Sequence, residues 1–361
     1  MNRVMRVHTW IDERLDFEDL LTPLCTKRVP LHRHSAWYLL GGITLFLFLV
    51  QVCTGILLLL YYRPTPSEAF ESVQSITYHV HFGWLIRSVH SWSANVMVLC
   101  AFGHMFSVAF ARAYRRPREL TWITGVFLLF LVLGFGFSGY LLPWNMRAFF
   151  ATKVGTEVAG QLPVIGHSIM VLMRGGEDVS GATLTRFFGL HVVILPALAA
   201  GMVITHLWLV QKFGTSVPTS VEAHWDVNPT ERKEMRFFPN FFLRELMCWY
   251  LVLGSLICLA VFFPWELGTK ADPFAPAPPG IKPEWYFLAQ FQTLRLIPSH
   301  IFFIDGEVLG ILGFGFGAAL LLALPFIESG LGDRGRRTVR MGILIALVYL
   351  AVMSVVGYVA N

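Results

Sequence analysis

The chain has 361 residues, 55% of them hydrophobic and only 14% charged, with a net charge of +5. Soluble domains are usually about one quarter charged. The many long uncharged stretches therefore exclude an ordinary soluble domain and predict an all-α, polytopic membrane protein. The positive charge gathers in the segments between apolar stretches, which argues for membrane topology and against a nucleic-acid partner.

In chain order, residues 1–35 are too polar for a secretory signal peptide. Trp10, Ile11, Leu15, Phe17, Leu20, Leu21 and Leu24 recur at helical spacing, which predicts an amphipathic helix over 9–25 on the membrane surface. A solvent-facing helix in a larger complex is the alternative. Seven spans are predicted at 36–61, 84–110, 119–141, 184–210, 246–264, 307–327 and 339–359. The charged stretch around 222–236 divides a four-span half, 36–221, from a three-span half, 222–361.

Basic residues cluster before the first span and after the second, fourth and sixth, ending with Arg334, Arg336, Arg337 and Arg340. These segments share one side of a seven-span topology. The positive-inside rule makes that side cytoplasmic, with the N-terminus inside and the C-terminus outside. Two long outer loops follow from this, 142–183 and the proline-rich 265–305. Loops of such length are usually functional. Cys25, Cys53, Cys100, Cys248 and Cys258 form no paired motif, so no structural disulfide and no iron–sulfur cluster is expected on this chain.

Four histidines carry the chemistry. His90 and His104 lie 14 apart in the second span, and His191 and His206 lie 15 apart in the fourth. Fourteen helical residues return to nearly the same face, roughly 40° short and about 21 Å along the axis, whereas fifteen overshoot by about 60°. Histidine inside a span is costly and marks function. Two such helices offer an imidazole pair at each of two depths, the ligand set of two stacked, bis-histidine b-type haems. The topology pairs His90 with His191 near the outer face and His104 with His206 near the inner face.

Glycines repeat the 14-residue interval: Gly41 and Gly55 in the first span, Gly125 and Gly139 in the third. A missing side chain lets a flat macrocycle lie against the helix, so Gly55 and Gly139 are assigned to the outer haem and Gly41 and Gly125 to the inner. Close helix packing by small residues is the other explanation. Arg87 and Arg186 precede the outer histidines and suit haem propionates, with snorkelling as the competing role.

These residues resemble the cytochrome b/b6 family of quinol:cytochrome c or plastocyanin oxidoreductases. The resemblance covers nearly the whole chain. It rests on the paired glycines and histidines, Leu-Thr-Arg-Phe at 184–187, Gly-Tyr-Leu-Leu-Pro-Trp at 139–144 and Pro-Glu-Trp-Tyr at 283–286. The 15-residue interval, residues 82–90 and residues 116–122 are similar to the b6 branch. The last three spans, with Ala-Asp-Pro-Phe at 271–274, resemble subunit IV, here in one polypeptide. The family's third, covalently attached haem is held by a cysteine where this chain has Leu39, so a third haem is not expected. Ser107 stands where relatives carry an arginine after the inner histidine, which leaves Arg112 or Lys212 for the inner haem.

The resemblance implies bifurcated quinol oxidation at the outer face, with a Rieske iron–sulfur protein and a c-type cytochrome as partners in a homodimeric complex. It also implies electron transfer to a quinone site near the cytoplasm, proton translocation, and a bacterial inner membrane. Glu284 is the expected proton acceptor, because a carboxylate in a partly dry pocket gains proton affinity. Tyr286 and Tyr140 are expected pocket residues, and Pro283 fixes the backbone beside Glu284. Lys212, Glu222, His224 and Asp226 are candidates for the inner quinone site. Two other classes stay open on the residues: a non-bifurcating di-haem anchor of another quinone-linked complex, and a transporter with a histidine proton relay.

Overall fold

The structure, a computed structural model, describes residues 3–15, 22 and 25–360. Among the described residues, seven helices are long and apolar enough to cross a membrane: Ser35–Leu59, Gly83–Ala111, Glu119–Tyr140, Gly181–Phe213, Phe237–Phe262, Gly306–Gly332 and Arg334–Val359. Their apolar side chains face outward as readily as inward; Leu251 and Ile345 are both exposed, as suits a surface solvated by lipid. Helices satisfy their own backbone groups, which is why such sequences cross a bilayer in this form.

Three boundaries differ from the sequence expectation. The fifth span starts at Phe237 rather than 246, which brings Arg244 and Glu245 into it. The sixth and seventh spans nearly abut, so Arg334, Arg336, Arg337 and Arg340 form the first turns of the seventh span rather than a connecting loop. The chain turns at Gly332, whose φ of 57° favours glycine. Gly310, early in the sixth span, packs on Leu294, and Gly357, late in the seventh, packs on Leu288. Both contacts fall on one short helix, Trp285–Leu296, so the two spans run antiparallel. At the N-terminus the helix is Arg3–Leu15, earlier than predicted. Phe17, Leu20, Leu21 and Leu24 lie outside the described residues.

One end of the bundle carries the long loops. Helix Met146–Gly160 is capped by the Asn145 side chain, which accepts from the Ala148 amide at 2.9 Å. Helix Gly166–Arg174 stops at Gly175, with φ of 81°. Arg174, only 2% exposed, ties this loop together: it donates to Thr156 Oγ1 at 2.7 Å and to the carbonyls of Glu177 and Lys153. Beneath the loops Leu141, Trp144, Phe149, Leu184 and Phe187 form a buried cluster.

At the other end, strand β1 (Arg28–Leu31) pairs antiparallel with strand β2 (Lys233–Arg236), Arg28 opposite Arg236 and Leu31 opposite Lys233. The pair joins the N-terminal segment to the connection between the halves. The expected 221/222 boundary falls inside helix Thr219–Val227. Tyr114 and Trp122 pack with Leu324 and Ile343, so the halves share a core there. Between the two ends, Leu47, Met97 and Leu256 fill the mid-level of the first, second and fifth spans.

Candidate functional site

The four histidines point into the bundle of the first four spans at two levels. His90 lies near His191, and His104 near His206. The 15-residue interval does not misalign the second pair. Residues Leu190–Ile194 are wound as a π-helix, which takes in one extra residue. Pro196 follows directly; it has no N–H for the carbonyl four residues back, and its ring collides with that carbonyl in a tight helix. The widened turn brings His191 and His206 back to one face, as the shorter interval does for His90 and His104.

Each histidine meets its assigned glycine, but through the imidazole edge. A Cβ on Gly139 would stand 2.5 Å from His191 Cε1, and one on Gly41 3.1 Å from His104 Cε1. The figures are 3.2 Å for Gly125 against His206 and 3.5 Å for Gly55 against His90. At all four positions the glycine gives room to a histidine side chain.

The residue before each glycine adds a feature the sequence reading missed. Thr54 Oγ1 lies 2.8 Å from His90 Nδ1, Thr124 Oγ1 2.9 Å from His206 Nδ1, and Ser138 Oγ 3.1 Å from His191 Nδ1. Each hydroxyl donates its own hydrogen to a carbonyl four residues back: Val50, Leu120 and Gly134. Its lone pair is left to accept from Nδ1–H. That arrangement sets the tautomer and leaves the Nε2 lone pair available to a metal. Two facing pairs of neutral imidazoles, each with a metal-binding nitrogen kept free of protein partners, fit b-type haem iron. His104 is the exception: Leu40 precedes Gly41, and His104 Nδ1 is buried without a partner.

The arginines have protein partners. Arg87, 7% exposed, donates to the carbonyls of Trp265 at 2.7 Å and Glu266 at 3.0 Å, anchoring the second outer loop. Arg186 Nη1 donates to the carbonyls of Val171 and Leu172. Arg112, assigned to the inner haem, instead pairs with Glu328 of the sixth span, which also accepts from the Tyr114 hydroxyl. A buried carboxylate requires a cation nearby, and Glu328 is 5% exposed; Arg112 supplies that cation. Ser107 bonds back to the His104 carbonyl within its own helix.

A cavity of about 430 Å³ opens at the loop-rich end. Its walls are the third span, helix Met146–Gly160 and residues 281–294, so both halves contribute. Glu284, Tyr286 and Tyr140 all line it, as the motif implied. Burial raises the Glu284 carboxyl above its ordinary value. Burial, then the neighbouring Glu284 and Tyr140, holds the Tyr286 phenol protonated well above its usual range. The Tyr286 hydroxyl packs on Gly136, one turn from the Gly139 that receives His191, so cavity and outer histidine share a wall.

The inner end differs from expectation. Lys212 is exposed and lies over the rings of Trp208 and Phe213; Asp226 is exposed, His224 pairs with Glu231, and Glu222 pairs with Arg115. The polar group that does face the bundle is Glu245. Its carboxylate packs on Gly42, next to the glycine that receives His104. Sequence reading missed it because the predicted fifth span began at 246, one residue past Glu245, whereas the helix begins at Phe237. Leu39, at the position of the absent cysteine, packs against the buried cluster of Val29, Met235 and Phe241 at the strand pair.

Such a bundle, with two levels of facing imidazoles and a carboxylate-lined cavity at one end, defines a haem-binding electron-transfer protein of the membrane. The family described as Cytochrome b/b6/petB matches residues 25–214, and that described as Cytochrome b(C-terminal)/b6/petD matches 270–361. The chain is 48% identical over 320 residues to a cytochrome bc complex cytochrome b subunit of Chlorobaculum thiosulfatiphilum, covering 88% of this chain and 73% of that one. It is 45% identical over 213 residues to cytochrome b6 of Acaryochloris marina (strain MBIC 11017), covering 59% of this chain and 99% of that one. A solved hyperthermophilic respiratory Complex III has a chain with a TM-score of 0.84 and 30% identity, covering 98% of this chain and 91% of that chain. The chain belongs to the cytochrome b/b6 family, the electron-transferring cytochrome b subunits of bc-type oxidoreductases.

Proposed function

We propose that the chain is the di-haem subunit of a quinol:cytochrome c oxidoreductase, with quinol oxidised at the loop-rich, outer end and quinone reduced at the inner end. The observation that carries this reading is the position of Glu284. It stands in an apolar cavity that shares the third span with the outer histidine pair. A conduit between fixed redox partners needs no such cavity, which disfavours a simple di-haem anchor.

His90 with His191 holds the outer haem, and His104 with His206 the inner; when bound, these groups supply one-electron transfer between the ends of the bundle. Arg87 and Arg186 keep N–H groups beyond those bonded to carbonyls, and these are the donors offered to propionates at the outer level. Glu284 accepts a proton from a quinol hydroxyl, while Tyr140 and Tyr286 position the ring. The apolar walls exclude water, so the proton leaves by way of the carboxylate. One electron passes to a Rieske iron–sulfur protein and a c-type cytochrome, and the other to this chain. Glu245 is the proton-handling group offered to quinone at the inner end, supported by its carboxylate facing Gly42. The basic segments support an inner end in the cytoplasm, and the reading takes the membrane to be a bacterial inner membrane, with protons released outside and taken up inside. A homodimeric assembly completes the reading.

The test is purification of the intact complex from its membrane. Two b-type haems per chain, a Rieske signal and quinol-dependent reduction of a c-type cytochrome are expected. A single haem, or full quinol turnover in Glu284→Gln, would overturn the reading.

A further inference from the structure

Seven side-chain atoms among the described residues are buried without a hydrogen-bond partner. Two of them, Gln290 Oε1 and Thr152 Oγ1, belong to residues that line the outer cavity. They stand on different walls. Thr152 is on helix Met146–Gly160 of the first half, and Gln290 is on helix Trp285–Leu296 of the second. Most of the remaining lining is apolar, including Leu133, Phe137, Val154 and Phe291.

Thr152 is unusual for its setting. Thr156, one turn on in the same helix, donates to the Thr152 carbonyl at 2.8 Å, and Thr44, Thr77, Thr205 and Thr293 make the same bond to the carbonyl four residues back. Thr152 makes no such bond, although it is 1% exposed. A helical threonine without its local bond, and an amide oxygen with no donor, are destabilising in an apolar wall. A small turn of either side chain toward the cavity would let an occupant supply the missing partner.

We infer that Gln290 and Thr152 are specificity-determining residues of this cavity, selecting the hydroxyl-bearing, reduced ring over the oxidised one. The inference rests on the cavity being the quinol site. An amide oxygen only accepts, and so does the ionised Glu284; a quinone ring offers these acceptors nothing, whereas a quinol offers two O–H donors. Thr152 Oγ1, with no local bond, accepts from the second O–H of the same ring. The cavity therefore releases its oxidised product more readily than it releases its substrate.

The test uses the intact complex with Gln290→Leu and Thr152→Val, a decyl-substituted benzoquinol as substrate, and the matching quinone as competing ligand. Loss of one hydrogen bond is expected to raise KM for the quinol about three- to tenfold, a larger change than in kcat, with quinone inhibition unaltered. Thr152→Ser is expected to restore the wild-type KM. The thermal midpoint is expected to hold or rise, because an unpaired polar atom has been removed. An unchanged quinol KM overturns the inference, as does an equal weakening of quinone, which would mean that the Gln290 amide donates. A lowered midpoint with loss of haem assigns both residues to structure and likewise overturns it. Glu284→Gln separates the two levels of argument: if it abolishes turnover while Gln290→Leu changes nothing, only this inference fails. If Glu284→Gln also turns over normally, the quinol site itself is misplaced and both fail.

Discussion

At the outer level both histidines are held by hydroxyls, His90 by Thr54 and His191 by Ser138; at the inner level Thr124 holds His206, and His104 has no such partner. The difference traces to one residue, Leu40, which takes the place before Gly41 that a hydroxyl takes before the other three glycines. An imidazole whose Nδ1–H is bonded is fixed in rotation and is the stronger donor to iron. A stronger donor favours the oxidised metal. With haem bound at both levels, the outer one would be the more electron-rich and the inner one the better electron acceptor, which would give the bundle a direction. The contrast extends to what lies beyond each pair: a roomy, apolar cavity with Glu284 outside, and a single carboxylate, Glu245, wedged on Gly42 inside.

The sharpest break of this comparison is deletion of one level. His206→Ala is expected to lose the inner haem and keep the outer, halving the b-type absorbance per chain. A spectrum with both haems intact would break the ligand assignment. Next in size is the cavity base. Glu284→Gln is expected to slow quinol oxidation on the order of a hundredfold or more while both haems stay bound. Burial raises the Glu284 carboxyl, and only its ionised form accepts a proton. The wild-type rate therefore falls as pH drops through that raised value and is sustained above it. In Glu284→Gln this acid limb disappears from the pH–rate profile; its persistence assigns the limb to another group.

Smaller effects rank the glycines. Gly139→Ala forces a methyl to 2.5 Å from His191 and is expected to cost about 1–3 kcal/mol, read as lower outer-haem retention on heating. Gly55→Ala meets His90 at an ordinary 3.5 Å and is expected to leave haem retention unchanged. Equal effects at the two positions would show that the glycines clear space for something other than the imidazoles. The finest test is Leu40→Thr. It supplies the missing hydroxyl at the inner level and is expected to lower the inner midpoint potential by on the order of 10–60 mV, up to a tenfold change for one electron. An unmoved potential would detach the direction of transfer from these hydrogen bonds.

The seven spans, the histidine pairs and their glycines were legible because each repeats at a helical period or exceeds a bilayer's thickness. Glu284 was legible through its motif. The hydroxyls were visible beside three of the four glycines, but their bonds depend on which way the imidazole turns, and no periodicity reports that. The π-turn at Leu190–Ile194 was hidden for a similar reason: the sequence shows a 15-residue interval but not where the extra residue is absorbed. Arg112 was assigned to the haem because it follows the inner histidine closely, yet its partner, Glu328, is 216 residues away. Glu245 was lost to a span boundary, and boundaries depend on flanking contacts such as the Phe237–Lys27 backbone bond at 2.8 Å.

The strand pair has one more consequence. β1 belongs to the segment before the first span and β2 to the segment before the fifth, and no loop between them is needed to hold them in register. Trp122 on the third span donates to the Leu321 carbonyl on the sixth at 2.8 Å, a second non-covalent tie between the halves. The peptide link through 219–231 is thus not the sole tether between the halves. Two separately encoded polypeptides, divided within that stretch, should find one another in the membrane and rebuild both haem levels and the cavity. The cytochrome b6 relative, 99% covered by a match of 213 residues, has the length of such a first piece. Whether a lineage keeps one gene or two then becomes a matter of expression and assembly order, with the electron path left as it is.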